Sequence, residues 1–243
     1  MLRGIDCSSY QGVIAWPLVA EQCNLRFAIV KTAEGMGSSP DVKAGSNVIA
    51  ANKAGLAVGG YFFLHPQASM KAEAQAKLHF TLAQDVGLNR PGDLPPFVDL
   101  EGPLPTSWSN VGFTPSSLRG WTLDYLAALG SLWGMVPCLY SYPDFLMQLG
   151  VGGEPAFSSF GLWMASFTSP SGWPIDGQHP MVLRPWTSWQ FWQWSSNLKL
   201  PNGVGCDADV FNGGETELQA ILQKGDAVVT TGGPAAGSTD SKA

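Results

Sequence analysis

The sequence predicts an α/β fold, a TIM-like barrel of the (β/α)5(β)3 type with eight strands. Short strand-like runs alternate with helix-like stretches through the first five units, and this alternation is typical of parallel strands joined by right-handed crossovers. A connection rich in proline and glycine then replaces the helices, and the last strands follow with only short links. The length of 243 residues and a hydrophobic content of 45% suit one large buried core.

The strand predictions depend on apolar runs bounded by turn residues. The runs lie at residues 2–7, 26–32, 57–64, 96–101, 136–141, 162–167, 188–195 and 204–211. Because sequential strands with helical crossovers usually neighbour each other, we expect these runs to pair in chain order and to close into a barrel.

Helix predictions fill the gaps between the first five strands. The helix-like stretches lie at residues 17–23, 41–54, 69–86 and 115–132, another at 143–149 follows the fifth strand, and a last one is expected near 215–223. Thr114 is the predicted N-cap of the fourth helix, with Pro115 at its first position, where the missing backbone N–H of proline costs nothing.

The sequence predicts one domain and a tail. Residues 1–224 carry the strand and helix patterns, whereas residues 225–243 are rich in Gly, Ala, Ser and Thr. This composition is typical of a flexible tail or a linker stub.

Composition excludes several classes of function. A net charge of -6 with only 13 Lys and Arg gives no basic patch for phosphate groups, so nucleic acid is not an expected partner. No apolar run is long enough to span a bilayer, and the first residues form no hydrophobic targeting core. The four cysteines form no C-x-x-C motif and are expected to be free thiols, so they indicate neither a zinc site nor a thioredoxin-like motif. We expect no metal site and no cofactor.

Two carboxyl groups close the fourth predicted strand. Asp99 and Glu101 alternate with the apolar Val98 and Leu100, so a strand here would place both acids on one side, about 7 Å apart. Two acids that share a pocket raise each other's proton affinity, and glycoside cleavage requires one proton donor beside one ionised carboxylate. An isolated Asp-x-Glu is also found in ordinary surface turns, so the surrounding sequence decides.

Further acids fall at the same end of the predicted barrel. Asp6 ends the first strand and Asp207 lies in the eighth, and these strands are neighbours in a closed barrel. Active sites of such barrels form at the carboxyl ends of the strands. Four carboxylates are therefore expected to converge there, which is costly without chemistry, a metal or hydrogen-bond partners.

Eight blocks carry a resemblance to a known family. Residues 4–12, 27–35, 54–63 and 94–101 resemble the patterns G-[IV]-D-V-S-x-x-Q-G, F-x-x-[IV]-K-A-T-E-G, A-G-L-x-x-G-x-Y-H-F and L-P-x-x-x-D-x-E, with Cys7 and the reversed Thr32-Ala33 among the departures. Residues 139–142, 162–165, 189–195 and 204–213 fit the remaining blocks in order. The sequence resembles glycoside hydrolase family 25, the lysozymes (N-acetylmuramidases) that cut peptidoglycan, over residues 2–224.

The resemblance implies a role for each acid. Glu101 would be the general acid that protonates the glycosidic oxygen, with its proton held by the nearby charge of Asp99. Asp99 would be either the nucleophile or the group that orients the substrate N-acetyl group, and both routes retain the anomeric configuration. Asp6 and Asp207 would orient the other acids or stabilise positive charge in the transition state.

The resemblance also implies a set of substrate contacts and a setting. Tyr61, Tyr140 and Trp163 are expected to contact sugar rings and Gln193 to bind them through its amide, although core packing is an equal alternative for Trp163. The expected partner is the glycan strand of bacterial peptidoglycan. The enzyme is expected to be a monomer. The enzyme is expected to act on the cell wall after release from the host cytoplasm, like a phage lysin, or to be extracellular.

Departures from the family pattern leave questions open. Phe62 replaces a frequent His, which we expect to alter contacts near the acids, and residues 206–209 replace the common V-D-x-N. Lys31 and Glu34 form either a barrel ion pair or a rim contact. Two rivals to a muramidase remain, a hydrolase that uses Mg²⁺ or Ca²⁺ and a non-catalytic module that binds cell wall or builds a virion.

Overall fold

The computed structural model describes residues 1–102, 111–167, 173–174 and 177–223. Within these ranges, eight strands close into a barrel in chain order, which confirms the predicted fold class. The strands are β1 (Leu2–Cys7), β2 (Leu25–Glu34), β3 (Ala57–Phe63), β4 (Phe97–Asp99), β5 (Cys138–Ser141), β6 (Gly161–Ala165), β7 (Phe191–Lys199) and β8 (Gly205–Phe211).

The last strand runs against its neighbours. Strands β1 to β7 are parallel where they pair, but β8 is antiparallel to both β7 and β1. The carboxyl ends of the first seven strands therefore meet the beginning of β8. A residue early in β8 can thus lie beside residues that end the other strands.

Helices follow each of the first five strands. They are α1 (Trp16–Gln22), α2 (Ala44–Lys53), α3 (Ala72–Asp85), α4 (Pro115–Trp133) and α5 (Pro143–Leu149), and α6 (Glu215–Ala220) follows β8. The predicted cap of α4 is confirmed, because the Thr114 side chain accepts a hydrogen bond from the Ser117 backbone N–H. Gly134, at φ 74°, ends the same helix in the left-handed conformation that glycine adopts without strain.

Alternate residues of each strand pack into two separate cores. One face of the strands fills the barrel interior, mostly with aromatic side chains: Phe27, Ile29, Phe97, Tyr140, Trp163, Phe191 and Phe211. The other face packs against the helices, as Val98 and Leu100 of the fourth unit do. The acids of the site belong to the interior-facing set.

Glycine makes room for the interior rings. A Cβ atom on Gly4 would lie 2.2 Å from the Phe27 ring, and one on Gly59 would lie 2.6 Å from the Phe97 ring. No side chain fits at either position unless the ring moves. The two glycines therefore allow large aromatic side chains to fill the barrel across neighbouring strands.

Two further expectations can be compared with the coordinates. All four cysteines are free thiols, as expected, and Cys7, Cys138 and Cys206 are buried. Among the described helices, none has the length and apolar character needed to cross a membrane. The predicted tail, residues 225–243, lies outside the described residues, and the domain boundary at 224 stays a prediction.

Candidate active site

The structure brings Asp6 and Asp207 together through the β1–β8 pairing. They are direct partners in the antiparallel register, and the Asp207 carboxyl is a hydrogen-bond partner of Asp6. The carboxyl-end rule of parallel barrels applies to Asp6 but not to Asp207, which lies near the start of β8. The reversed direction of β8 is what carries Asp207 to this end of the barrel.

Asp99 and Glu101 lie at the end of β4. The strand is shorter than predicted and ends at Asp99, yet the chain stays in register beyond it, because the Leu100 N–H donates to the Tyr140 carbonyl. Leu100 and Val98 point into the outer core, and Phe97 points into the barrel. The alternation therefore places Asp99 and Glu101 on the inner face. We call the end of the barrel that carries Asp6, Asp99, Glu101 and Asp207 the acidic end.

Burial and mutual repulsion raise the proton affinity of the β4 acids. Burial raises the pKa of Asp99 well above its usual value, the charge of Glu101 adds to this rise, and Lys31 opposes it. Burial also raises the pKa of Glu101, with Asp207 as the charged neighbour that adds to it. The sequence argument named Asp99 as the group that holds the proton on Glu101. In the structure burial is the largest cause and Asp207 adds to it, while Asp99 and Glu101 repel each other as a pair.

The acids of β1 and β8 are also shifted toward their protonated forms. Burial raises the pKa of Asp6, and the charges of Asp209 and Asp207 raise it further. Burial raises the pKa of Asp207 to about 6 and that of Asp209 to about 8. The acidic end is thus a set of interacting carboxyl groups that release their protons in succession as pH rises.

Lys31 is a cation close to these acids. Its Nζ forms an ion pair with Glu34 and lies 5.2 Å from the centre of the Phe63 ring. The same charge lowers the pKa of both Asp99 and Glu101. The Lys31–Glu34 contact is therefore an ion pair at the acidic end. The sequence alone did not decide between an ion pair of the barrel and a rim contact.

Tyr61 is the aromatic candidate nearest to the acids. Its ring is half-buried and meets the Trp163 ring edge-on, with 6.2 Å between centroids. Burial raises its pKa, and the charges of Asp6 and Asp99 raise it further, so both acids lie near its hydroxyl. This position is consistent with a substrate contact, which stays a prediction.

Gln193 and Tyr140 form a chain of hydrogen bonds that ends on Asp6. The Gln193 Nε2 donates to Asp6 Oδ2 at 2.8 Å, and the Tyr140 hydroxyl donates to Gln193 Oε1 at 2.9 Å. Both side chains are buried, at 4% and 7% exposure. Their polar groups therefore already bond to protein, and the expected direct contact with sugar is not what this geometry favours.

Trp163 lies beneath the acidic end. Its side chain is 1% exposed, packs 4.4 Å from the Tyr140 ring, and donates its indole N–H to Asp209 Oδ1 at 2.8 Å. A ring this enclosed has no open face for a sugar. The geometry thus favours the core-packing alternative for Trp163.

Phe62 is turned away from the acids. It is fully buried in the outer core and stacks on the His79 ring, with 4.8 Å between centroids and an interplanar angle of 6°. The expectation that Phe62 alters contacts near the acids is wrong, because neighbouring strand residues face opposite sides of the sheet.

Asp209 was not assigned a role from the sequence. It is fully buried and follows Asp207 by two residues in β8, so it shares the inner face. The spacing Asp-x-Asp could have identified it, because alternate residues of a strand point to the same face, as argued for Asp99 and Glu101. Within the described part of the chain, no group of three His, Cys, Asp or Glu side chains is arranged to hold a metal ion.

Comparisons with known proteins identify the family to which the chain belongs. The model of the family Glycosyl hydrolases family 25 matches residues 5–203. Similar solved structures include a muramidase from Trichobolus zukalii, at 26% identity and TM-score 0.74 over 92% of this chain and 99% of that chain. A family GH25 lysozyme from Aspergillus fumigatus is 25% identical, with TM-score 0.70 over the same shares.

A bacterial lysozyme from Streptomyces coelicolor shares the fold, with 24% identity and TM-score 0.75 over 91% of this chain and 97% of that chain. No curated protein sequence matches the chain. The family model spans most of the sequence and includes Asp6, Asp99 and Glu101. The chain therefore belongs to glycosyl hydrolase family 25 and is a glycoside hydrolase of the lysozyme class.

Proposed function

We propose that this enzyme cleaves the β-1,4 bond between N-acetylmuramic acid and N-acetylglucosamine in bacterial peptidoglycan, with retention of anomeric configuration. The observation that carries the proposal is the convergence of four carboxyl groups from β1, β4 and β8, each with a raised pKa. Such a cluster supplies both a proton donor and a carboxylate on one side of a bound glycan.

Glu101 is the proposed general acid. It is half-buried, so it can reach a substrate oxygen, and burial together with the charge of Asp207 raises its pKa above the usual glutamate value. A group that must give a proton near neutral pH needs that rise. Once the leaving group has departed, the same carboxylate can take a proton from the incoming water.

Asp99 is the proposed partner of the substrate N-acetyl group. The two roles left open by the sequence were direct nucleophile and orienter of that group. Asp99 is 7% exposed, and its Oδ1 is enclosed without a hydrogen-bond donor, which leaves it with high proton affinity. High proton affinity and tight enclosure favour the orienter, which accepts the amide N–H while the acetamido oxygen attacks the anomeric carbon.

Asp6 and Asp207 are proposed to hold the other groups. Asp207 keeps Glu101 protonated by charge repulsion, and Asp6 is fixed by Gln193. Their negative charge also stabilises the oxocarbenium-like transition state. Tyr61, beside Asp6 and Asp99, is the proposed contact to the sugar.

The proposed setting follows from the substrate. The enzyme would act as a monomer on glycan strands of the cell wall, after release from a host cell or outside a cell. An acidic protein of net charge -6 is poorly suited to nucleic acid. Glu101→Gln and Asp207→Asn should therefore affect wall digestion rather than any nucleic-acid binding.

Digestion of purified peptidoglycan tests the proposal. The wild type should produce new reducing ends of muramic acid, and Glu101→Gln should lower their rate of release by about 10³-fold, because the amide has no proton to give. Glu73→Gln, an exposed change in the first turn of α3, is the matched control and should keep the wild-type rate. Digestion should also persist in excess chelator.

Three results would contradict the proposed function. New glucosamine ends or freed peptides would show that the enzyme cleaves a different bond. Full activity in Glu101→Gln would remove the general acid, and loss of activity in chelator would favour the metal-dependent rival.

A further inference from the structure

We propose that Asp209 is a positioning residue, whose buried carboxyl group shares one proton with Asp6 and thereby fixes Asp6 at the floor of the acidic end. This inference rests on the proposed function, since Asp6 matters only if the acidic end is catalytic. It departs from the V-D-x-N pattern that the sequence resembles, where an asparagine stands in place of Asp209.

The position of Asp209 places it against Asp6. In the β1–β8 pairing Asp209 is the partner of Gly4, two residues before Asp6, and in the β7–β8 pairing it is the partner of Gln193. Gly4 has no side chain to separate the two acids. The Asp6 carboxyl is accordingly a hydrogen-bond partner of Asp209.

The hydrogen bonds around the pair leave one gap. Asp209 Oδ1 accepts the Trp163 indole N–H, and Asp6 Oδ2 accepts the Gln193 amide N–H. Asp209 Oδ2 is buried, and no N–H or O–H group of the described residues donates to it. Two carboxylates cannot bond to each other, because both only accept, so a proton between them is what satisfies this oxygen.

Burial and the charges of the neighbouring acids favour that proton, and the hydrogen bonds from Trp163 and Gln193 oppose it only in part. Asp6 faces Asp209 from β1 and Asp207 faces it along β8, while Trp163 and Gln193 approach from β6 and β7 as neutral donors. The thiols of Cys7 and Cys206 lie on the outer face of β1 and β8. In the described chain, no lysine or arginine forms an ion pair with Asp6 or Asp209.

The charges agree with the geometry. Burial raises the pKa of both acids, and that of Asp209 reaches about 8. A doubly ionised pair would place two unbalanced charges in the barrel interior, which is strongly unfavourable. With one shared proton the pair carries a single charge, held from one side by Gln193 and from the other by Trp163.

The first test measures thermal stability against pH for wild type and Asp209→Asn. A carboxyl group with a raised pKa in the folded state binds its proton more tightly than in the unfolded chain. Its contribution to stability is therefore complete below about pH 4 and is lost as pH rises toward about 8. The amide cannot ionise, so the Tm difference, variant minus wild type, should rise by about 3 °C per pH unit across this range and then level off.

Asp93→Asn is the matched control. Asp93 is also a buried carboxyl group, with a pKa raised by burial to about 6, and it accepts the Arg90 backbone N–H far from the acidic end. Its Tm difference should stop rising near pH 6. If the curves of Tm against pH for Asp209→Asn and wild type are parallel, Asp209 does not share a proton with Asp6. This conclusion holds whether or not the enzyme digests peptidoglycan.

The second test measures kcat and KM on purified peptidoglycan. Asp209→Leu fills the space but can neither accept from Trp163 nor bond to Asp6, so kcat should fall by at least about tenfold with KM little changed. Asp209→Asn should restore most of that loss, because its amide donates to Asp6 and its oxygen accepts from Trp163. A wild-type kcat in Asp209→Leu would overturn the positioning role, as would an Asp209→Asn no better than Asp209→Leu.

Failure of this inference is distinguishable from failure of the proposed function. If wild type releases no muramic acid ends, the proposed function fails, while the stability curves still report on the proton. If wild type is an active muramidase and the curves are parallel, only the inference about Asp209 fails.

Discussion

The two sides of the acidic end differ in how their carboxyl groups are held. On the β4 side, Asp99 has an enclosed oxygen without a donor, and the charge that acts on both acids there is that of Lys31. On the β1–β8 side, Asp6 and Asp209 accept short hydrogen bonds from Gln193 and Trp163. Each side has one buried oxygen without a donor, Asp99 Oδ1 and Asp209 Oδ2. The difference is that side-chain donors also hold the acids of the β1–β8 side in place.

This difference separates acids that protein donors hold in place from acids that remain available to a substrate. A carboxyl group that protein donors already satisfy is stable and fixed, which suits orientation. A carboxyl group that is enclosed and unsatisfied gains most when a substrate brings a donor or a positive charge. This contrast supports the proposed division of roles, in which Asp99 and Glu101 act on the substrate and the β1–β8 acids hold the arrangement in place.

After loss of the general acid, Asp99→Asn is expected to have the largest effect on activity. The amide cannot accept and polarise the substrate N–H as a carboxylate does, so kcat on purified peptidoglycan should fall by about 10²-fold. The exposed change Asp85→Asn at the end of α3 is the control. A kcat within about twofold of wild type would show that the enclosed acid is not used.

Asp207→Asn is expected to change the pH profile of kcat. The charge of Asp207 raises the pKa of Glu101, so its removal should let Glu101 lose its proton at lower pH. The alkaline limb of the profile should move down by about one pH unit. An unchanged limb would mean that burial alone holds the proton of Glu101.

Lys31→Met should produce a smaller shift in the opposite direction. Lys31 lowers the pKa of Asp99 and Glu101, so its removal should raise both and move the alkaline limb up by about half a pH unit. The ion pair with Glu34 screens part of the charge, which keeps the effect small. Lys53→Met, at the end of α2, should leave the profile in place, and a downward shift in Lys31→Met would contradict the account.

Much of the barrel could be predicted because its signals are local. Alternating apolar residues mark the strands, Thr114 and Pro115 mark a helix start, and acids at strand ends mark one end of a barrel. The direction of β8 was not predicted, because a short link allows either direction and only the pairing with β1 decides it.

The use of individual side chains could not be read from the sequence. Gln193 and Asp6 are 187 residues apart, and no local pattern shows that the Gln193 amide is already bonded to protein. The sequence likewise allows Trp163 to contact a sugar ring, and only the structure shows that its indole N–H donates to Asp209. Phe62 was expected near the acids because the resembled family often has His at this position, and the pattern alone does not show which face of β3 the side chain takes.

The most direct test of the account is a ¹³C titration of the Glu101 carboxyl in glutamate-labelled enzyme, with Glu101→Gln used to assign the resonance. Wild type should titrate above the usual glutamate value of about 4.3, and the same resonance should titrate at lower pH in Asp207→Asn. A wild-type Glu101 that titrates at or below the usual value would contradict the claim that burial and Asp207 hold the catalytic proton.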